Sequence, residues 1–204
     1  MAIKLSRVFL VLTFFLSGCS IIKPPEPLDM MTLRTQQEGM FQCGSPTPLQ
    51  VVVGMPDASG GLRSDRIAIL FDEREIRYLA GARWEAPAPV LIQRHLVYYL
   101  NATHCFKGVG TEGAGLASRY RLTTDMQRFH LCYYSEDSVP YAEILLRVSI
   151  LDAEKGQILE SKIITFKKKS AGTNQSELMD ALDNVVSLAM QDASRWAATV
   201  LRAQ

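Results

Sequence analysis

Four cysteines and three histidines are the side chains of this 204-residue sequence best suited to covalent, redox or metal chemistry. Two of the histidines stand beside cysteines, in His104-Cys105 and His130-Leu131-Cys132, so two imidazoles and two thiolates could together hold zinc. The spacing argues against it. Zinc sites usually take ligands in pairs from tight C-x₂₋₄-C or H-x₃₋₅-H loops, whereas adjacent or alternate residues of a strand diverge or crowd one side. No metal site is therefore expected. His95 lies beside an apolar helical stripe, and no serine, cysteine or aspartate is placed by sequence to partner it. No G-x-S-x-G or H-E-x-x-H motif and no paired-carboxylate constellation occurs, and Asp72, Glu73 and Glu75 sit among arginines in a hairpin turn. The sequence thus points away from an enzyme and from a cofactor.

Cys19 has different surroundings. It closes Leu16-Ser17-Gly18-Cys19, which follows a positively charged segment with Lys4 and Arg7 and an apolar run over residues 8–16. That pattern is a secretory signal, and its end resembles the bacterial lipobox, in which the cysteine thiol receives a diacylglycerol before the peptide is cut ahead of it. The apolar run is too short to span a bilayer core, which needs roughly 20 residues. Each buried methylene adds ~0.8 kcal/mol, so two or more acyl chains on Cys19 would hold the chain stably on a membrane. Ser20 follows the cysteine. In the lipoproteins this resembles, aspartate there signals inner-membrane retention, so serine points to the outer membrane, with the domain on its periplasmic face. Lys23-Pro24-Pro25-Glu26-Pro27 can neither continue a helix nor pair as a strand and reads as a stiff spacer. The organisation expected is a signal peptide over 1–18, a lipidated linker over 19–27 and one domain over 28–204.

Removing the signal takes two of the 22 basic residues and none of the 21 acidic ones, leaving a net charge of about −1. Nucleic-acid binding through phosphate neutralisation is not supported. The one basic run, Lys167-Lys168-Lys169, ends a strand and reads as a solvated edge. With Cys19 consumed, Cys43, Cys105 and Cys132 are an odd number for an oxidising compartment, implying one disulfide and one spare thiol. Cys105 with Cys132 is the favoured pair, because each falls in a strand; a bridge made by Cys43 stays open.

Short strands are predicted over 28–33 and 49–53, with Cys43 in the loop between them. Residues 56–61 form a turn, and apolar runs at 67–71 and 75–79 flank Asp72-Glu73-Arg74 as a hairpin. A helix over 87–101 starts on Pro87 and Pro89 and carries Leu91, Ile92, Leu96, Tyr99 and Leu100 on one stripe. A short strand over 106–109 follows. Tyr120, Leu122, Thr124 and Met126 then alternate on one face, and Phe129, Leu131 and Tyr133 continue one residue out of phase, which predicts a bulge near Gln127. Residues 142–150 alternate cleanly, and 158–168 return as a hairpin partner. The chain closes on a helix over 175–201, opened by a capping box of Asn174 and Glu177 and striped with Leu178, Leu182, Val185, Ala189, Ala193, Trp196 and Val200. Its polar face lacks the basic excess of a membrane-surface helix, so it should pack on the sheet. The fold expected is α+β, a two-layer sandwich of a mixed, mostly antiparallel sheet with two main helices on one face.

The segment running from Tyr78 through Arg83-Trp84-Glu85-Ala86-Pro87 to Leu91-Ile92-Gln93 and Leu96 resembles the signature of the ABC-type transport auxiliary lipoproteins, the family of paraquat-inducible protein C. There a strand ends in an Arg-Trp pair and a proline-led helix begins with a Leu-x-Gln-like stretch. The order of the other elements, including Tyr120-Arg121-Leu122, also fits. The resemblance implies a periplasmic lipoprotein without chemistry of its own that docks an intermembrane lipid conduit to the outer membrane. Its partners would be an MCE-type substrate-binding protein, an ABC permease and an ATPase, with membrane contact through the lipid anchor and a homo-oligomer left open. Arg83 and Trp84 would form a structural or partner-interface pair, the guanidinium stacking on the indole. An outer-membrane structural lipoprotein, supporting a barrel protein or lipopolysaccharide export, is the alternative. The anchor is directly testable: Cys19→Ala should leave the protein unlipidated and no longer sedimenting with membranes, and unchanged sedimentation would contradict it.

Overall fold

The computed structural model describes residues 27–36 and 38–204. Cys19, the signal segment and the linker up to residue 26 lie outside the described residues. Among the described residues nine strands and two helices follow in the order β1 (Asp29–Met31), β2 (Thr47–Val53), β3 (Asp57–Ala58), β4 (Arg66–Phe71), β5 (Glu75–Trp84), α1 (Ala88–Ala102), β6 (Phe106–Thr111), β7 (Tyr120–Tyr133), β8 (Tyr141–Asp152), β9 (Gln157–Lys169) and α2 (Gln175–Arg202). All nine strands belong to one mixed sheet whose long ladders, β7 with β8 and β8 with β9, are antiparallel. The α+β class and the two-helix, mixed-sheet architecture are as the sequence predicts.

The sheet branches at β7. One edge of this strand pairs with β8 from Tyr120 to Cys132. The other edge is shared by three short parallel partners: β2 at Tyr120 to Leu122, β3 at Asp125 and Met126, and β4 at Leu131 to Tyr133. β2 then carries β6, and β4 carries β5 and β1. The ladder between β7 and β8 slips by one residue between Met126 and Arg128. This is the expected bulge. Tyr120, Leu122, Thr124 and Met126 before it and Phe129 and Leu131 after it are all buried, so the side-chain phase changes while the core face continues.

Both helices pack on this core. Pro87 caps α1, and Leu91, Ile92, Leu96, Tyr99 and Leu100 are fully buried along its stripe. At the start of α2 the Asn174 side chain accepts from the Glu177 N–H while the Glu177 carboxylate accepts from the Asn174 N–H. Ala189, Ala193 and Ala197 have no exposed surface, so the backbone of α2 lies close against β8 and β9, the strands it packs on. Trp196 sits at the margin of that face, where its Nε1–H donates to Glu160 Oε1 at 2.9 Å.

The disulfide joins Cys43 to Cys105, and Cys132 is a buried free thiol, which corrects the favoured Cys105–Cys132 pairing. Parallel pairing of β2 with β6 sets Thr47 opposite Phe106, so the segment entering β2 runs beside the turn that leaves α1. The Cys43 N–H donates to Thr103 O and the Thr47 N–H to Cys105 O, which brings the two thiols together. Cys132 lies beyond the bulge and outside the main core cluster that contains Cys105. Closing a loop with 62 residues of separation stabilises the fold by ~4 kcal/mol in the chain-entropy picture.

The chain after β1 is stitched to both helices. Leu33 is buried, the Arg34 N–H donates to Asp183 Oδ1 on α2 at 3.0 Å, and Gln36 exchanges hydrogen bonds with the Tyr99 hydroxyl of α1. Burial pushes the Asp183 carboxyl up from 3.8 to about 6, although the Arg34 N–H and charge pull the other way. A raised folded value means that the stability contributed by this group is full below its unfolded pKa and lost as pH rises through about 6. Asp183→Asn should therefore stabilise the protein at pH 8, by roughly 2–3 kcal/mol in urea unfolding, with the gain vanishing below pH 4. Equal stability at pH 8 would contradict the account.

Candidate functional site

Two places in the fold gather residues that the sequence marks for function. The first is the end of β5. Trp84 is 2% exposed and stacks on Phe129 of β7, with ring centroids 5.6 Å apart and planes 13° from parallel. Arg83, one residue earlier on the strand, points to the opposite face, where its Nη1 donates to Asp65 Oδ2 at 3.2 Å. The expected stacking of guanidinium on indole is therefore not what the pair does. Instead it seats the first described strand: Met30 lies opposite Arg83 and Met31 opposite Trp84 in a parallel ladder. The Trp84 N–H donates to Asp65 O at 2.7 Å, the Glu85 N–H to Met31 O at 2.8 Å, and the Thr32 hydroxyl to Glu85 Oε1 at 3.0 Å.

β1 covers only the last residues of β5. Among the described residues, no strand pairs with the outer edge of β5 before Ala82. That uncovered length carries Ile76, which is 48% exposed, and Tyr78, and the neighbouring β1 carries Met30 at 62%. Unpaired N–H and C=O groups with apolar side chains beside them form a template for a further strand or a partner surface.

The second place is on the face of the sheet opposite the helices. Because the bulge changes the phase of β7, His130 and Cys132 leave the core face together, and the ladder sets Glu143 of β8 directly across from His130. All three are buried. Glu143 Oε1 accepts from Arg128 Nη1 at 2.8 Å and lies 3.3 Å from Lys167 Nζ, while Oε2 accepts from the Cys132 thiol at 3.4 Å and lies 3.9 Å from His130 Nε2. Lys167 is thus a partner of a buried carboxylate, where the sequence suggested a solvated edge. Burial alone would raise the Glu143 carboxyl, but Arg128, the Cys132 thiol and Lys167 together hold it below its ordinary value. Burial lowers the His130 imidazole against the pull of the Glu143 charge, and burial together with that charge pushes the Cys132 thiol up to about 12.

His104 and Cys105 do not join this group, since Cys105 is oxidised in the disulfide. His95 is also elsewhere, its Nδ1 2.9 Å from Leu91 O within α1. Glu143 is the member that sequence reasoning missed. In the alternation of residues 142–150 it falls among the outward polar positions, and only the cross-strand register shows that it faces His130.

A family model for the ABC-type transport auxiliary lipoprotein component matches residues 32–199. A search of curated proteins finds no match. Among solved structures, a Xanthomonas campestris protein of the family DUF330 superposes with a TM-score of 0.75 at 19% identity, covering 85% of this chain and 97% of that one. An uncharacterised protein superposes with a TM-score of 0.65 at 13% identity, covering 84% and 99%. A hypothetical protein from Chlamydia trachomatis gives 0.51 at 9%, covering 78% and 100%. These three share the fold with this chain.

The geometry separates the roles of Arg83 and Trp84. Trp84→Ala removes a buried indole and should cost ~3–5 kcal/mol in urea unfolding. Arg83→Ala loses a half-exposed ion pair and should cost no more than about 1 kcal/mol. Comparable losses for the two variants would overturn the division.

Proposed function

The chain belongs to the ABC-type transport auxiliary lipoprotein family, and from that premise we propose that it docks the conduit of an MCE/ABC-type intermembrane lipid transport system to the outer membrane. Cys19 carries the acyl chains, the domain sits on the periplasmic face, and the work is done by contact. The partners are an MCE-type substrate-binding protein and, through it, the permease and ATPase of the same system.

One observation supports this reading above the others: the tethered end of the chain and the uncovered edge of β5 lie on the same arm of the sheet. Ten residues separate Cys19 from Asp29, so a fully extended linker reaches at most roughly 35 Å from the bilayer to β1. The anchor therefore limits how far the β1–β5 arm stands from the membrane. A partner that adds a strand to residues 75–81, or covers Ile76, Tyr78 and Met30, would be held within that distance. Arg83 lies at the end of this edge with its guanidinium half-exposed, available to a partner, while Trp84 holds the arm to β7.

A photocrosslinking residue placed at Ile76 or Tyr78 in cells should give an adduct with an MCE-type protein, and the same residue at Ile163 on β9 should give none. Adducts with barrel-assembly or lipopolysaccharide-export components in its place would support the alternative assignment. Either that result or the absence of any adduct from the β5 positions would overturn the proposal.

A further inference from the structure

We propose that His130, Cys132 and Glu143 form a binding site for a borderline-soft divalent metal ion, Zn²⁺ by its donor chemistry, independent of the docking role. One donor atom from each of His130, Cys132 and Glu143 lies within 4.8 Å of the other two. Zinc bonds of about 2.0–2.3 Å in tetrahedral geometry set such atoms roughly 3.3–3.8 Å apart. The thiol-to-carboxylate distance of 3.4 Å is already in that range, and the 3.9 Å between imidazole and carboxylate is close to it. A nitrogen, a sulfur and an oxygen together suit Zn²⁺ better than Mg²⁺ or Ca²⁺, which take oxygen.

An independent observation points to a ligand. His130 is 5% exposed, and its Nε2 has no hydrogen-bond partner, although buried polar atoms are almost always satisfied. This orphaned nitrogen is directed at the same carboxylate oxygen that faces the thiol. The opposite oxygen is held by Arg128 and Lys167, which fixes the carboxylate so that Oε2 presents itself to the other two donors. Three protein ligands leave one position of a tetrahedron free. Cys132 and Glu143, though not His130, line a pocket of about 190 Å³ together with Glu73, Arg128 and Lys167, so the sulfur and the carboxylate can be reached from it.

Binding balances as an exchange of ions. Zn²⁺ enters, the Cys132 S–H bond breaks, its proton passes to solvent, and the sulfur lone pair forms the metal bond. Thiolate and carboxylate neutralise the ion, and the imidazole binds as the neutral base. Affinity consequently rises with pH.

The test uses the full lipidated protein in detergent, with ZnCl₂ as the probe and MgCl₂ as the control. Calorimetry should show one Zn²⁺ per chain with release of about one proton. Cys132→Ser and His130→Gln should each weaken binding at least tenfold, and the Co²⁺-loaded protein should show a thiolate-to-metal charge-transfer band that Cys132→Ser lacks. Folded wild-type protein that binds Zn²⁺ no better than Mg²⁺ would overturn the proposal without recourse to any variant. Stoichiometric binding that survives Cys132→Ser unchanged would overturn it as well, by placing the ion elsewhere.

Discussion

Everything in this sheet depends on β7 being paired along both edges. Its fourteen residues give one edge to a single long partner, β8, and divide the other among three short ones, β2, β3 and β4. None of those three is longer than seven residues, and isolated short strands are not stable in water. They persist because β7 supplies a rigid ladder on one side and the core supplies burial on one face. The two arms of the sheet, one ending in β6 and the other in β1, are therefore branches from one stem.

The bulge between Met126 and Arg128 is what allows one strand to serve as that stem. A strand that kept its phase would send Phe129 and Leu131 to the outer face and turn His130 and Cys132 into the core beneath the helices. With one extra residue, apolar positions continue on the inner face for the whole length, and Phe129 is delivered to Trp84. The same residue collects Arg128, His130 and Cys132 on the outer face opposite Glu143. A single local irregularity thus builds both the stacking contact that holds the β1–β5 arm and the buried polar cluster behind it.

What the sequence made legible follows from the range of each signal. The bulge, the capping box of Asn174 and Glu177, the proline-led start of α1 and the hairpin of β8 with β9 are written within a few residues of one another, and the structure has all of them. The features that sequence did not reveal join distant segments. Cys43 lies in no strand, and only the parallel register of β2 with β6, distant in sequence, carries it to Cys105. Glu143 reads as an ordinary outward residue until the ladder places it across from His130. Arg83 and Trp84 were visible as a motif, but their opposite facing follows from strand geometry and their partners, Asp65 and Phe129, are non-local.

A domain held by its N-terminus, as proposed for this one, must pass any pull on the tether into the core, and β1, with three paired residues, is a weak grip for that purpose. The fold answers with the segment behind it. Leu33 is buried, Arg34 is bonded to Asp183 of α2, and Gln36 makes two hydrogen bonds to Tyr99 of α1, so tension passes from β1 into both helices as well as into β5. This explains why a carboxylate is tolerated at the buried position 183 despite its unfavourable solvation: it accepts a backbone N–H that has no strand partner, and an apolar side chain there would leave that donor unpaired. The disulfide clamps the far side of the same region, closing the loop that contains β2 to β5 and α1. The β1 segment, the Arg-Trp corner and both helices are therefore joined in one connected unit, the property that the proposed surface-anchored role requires.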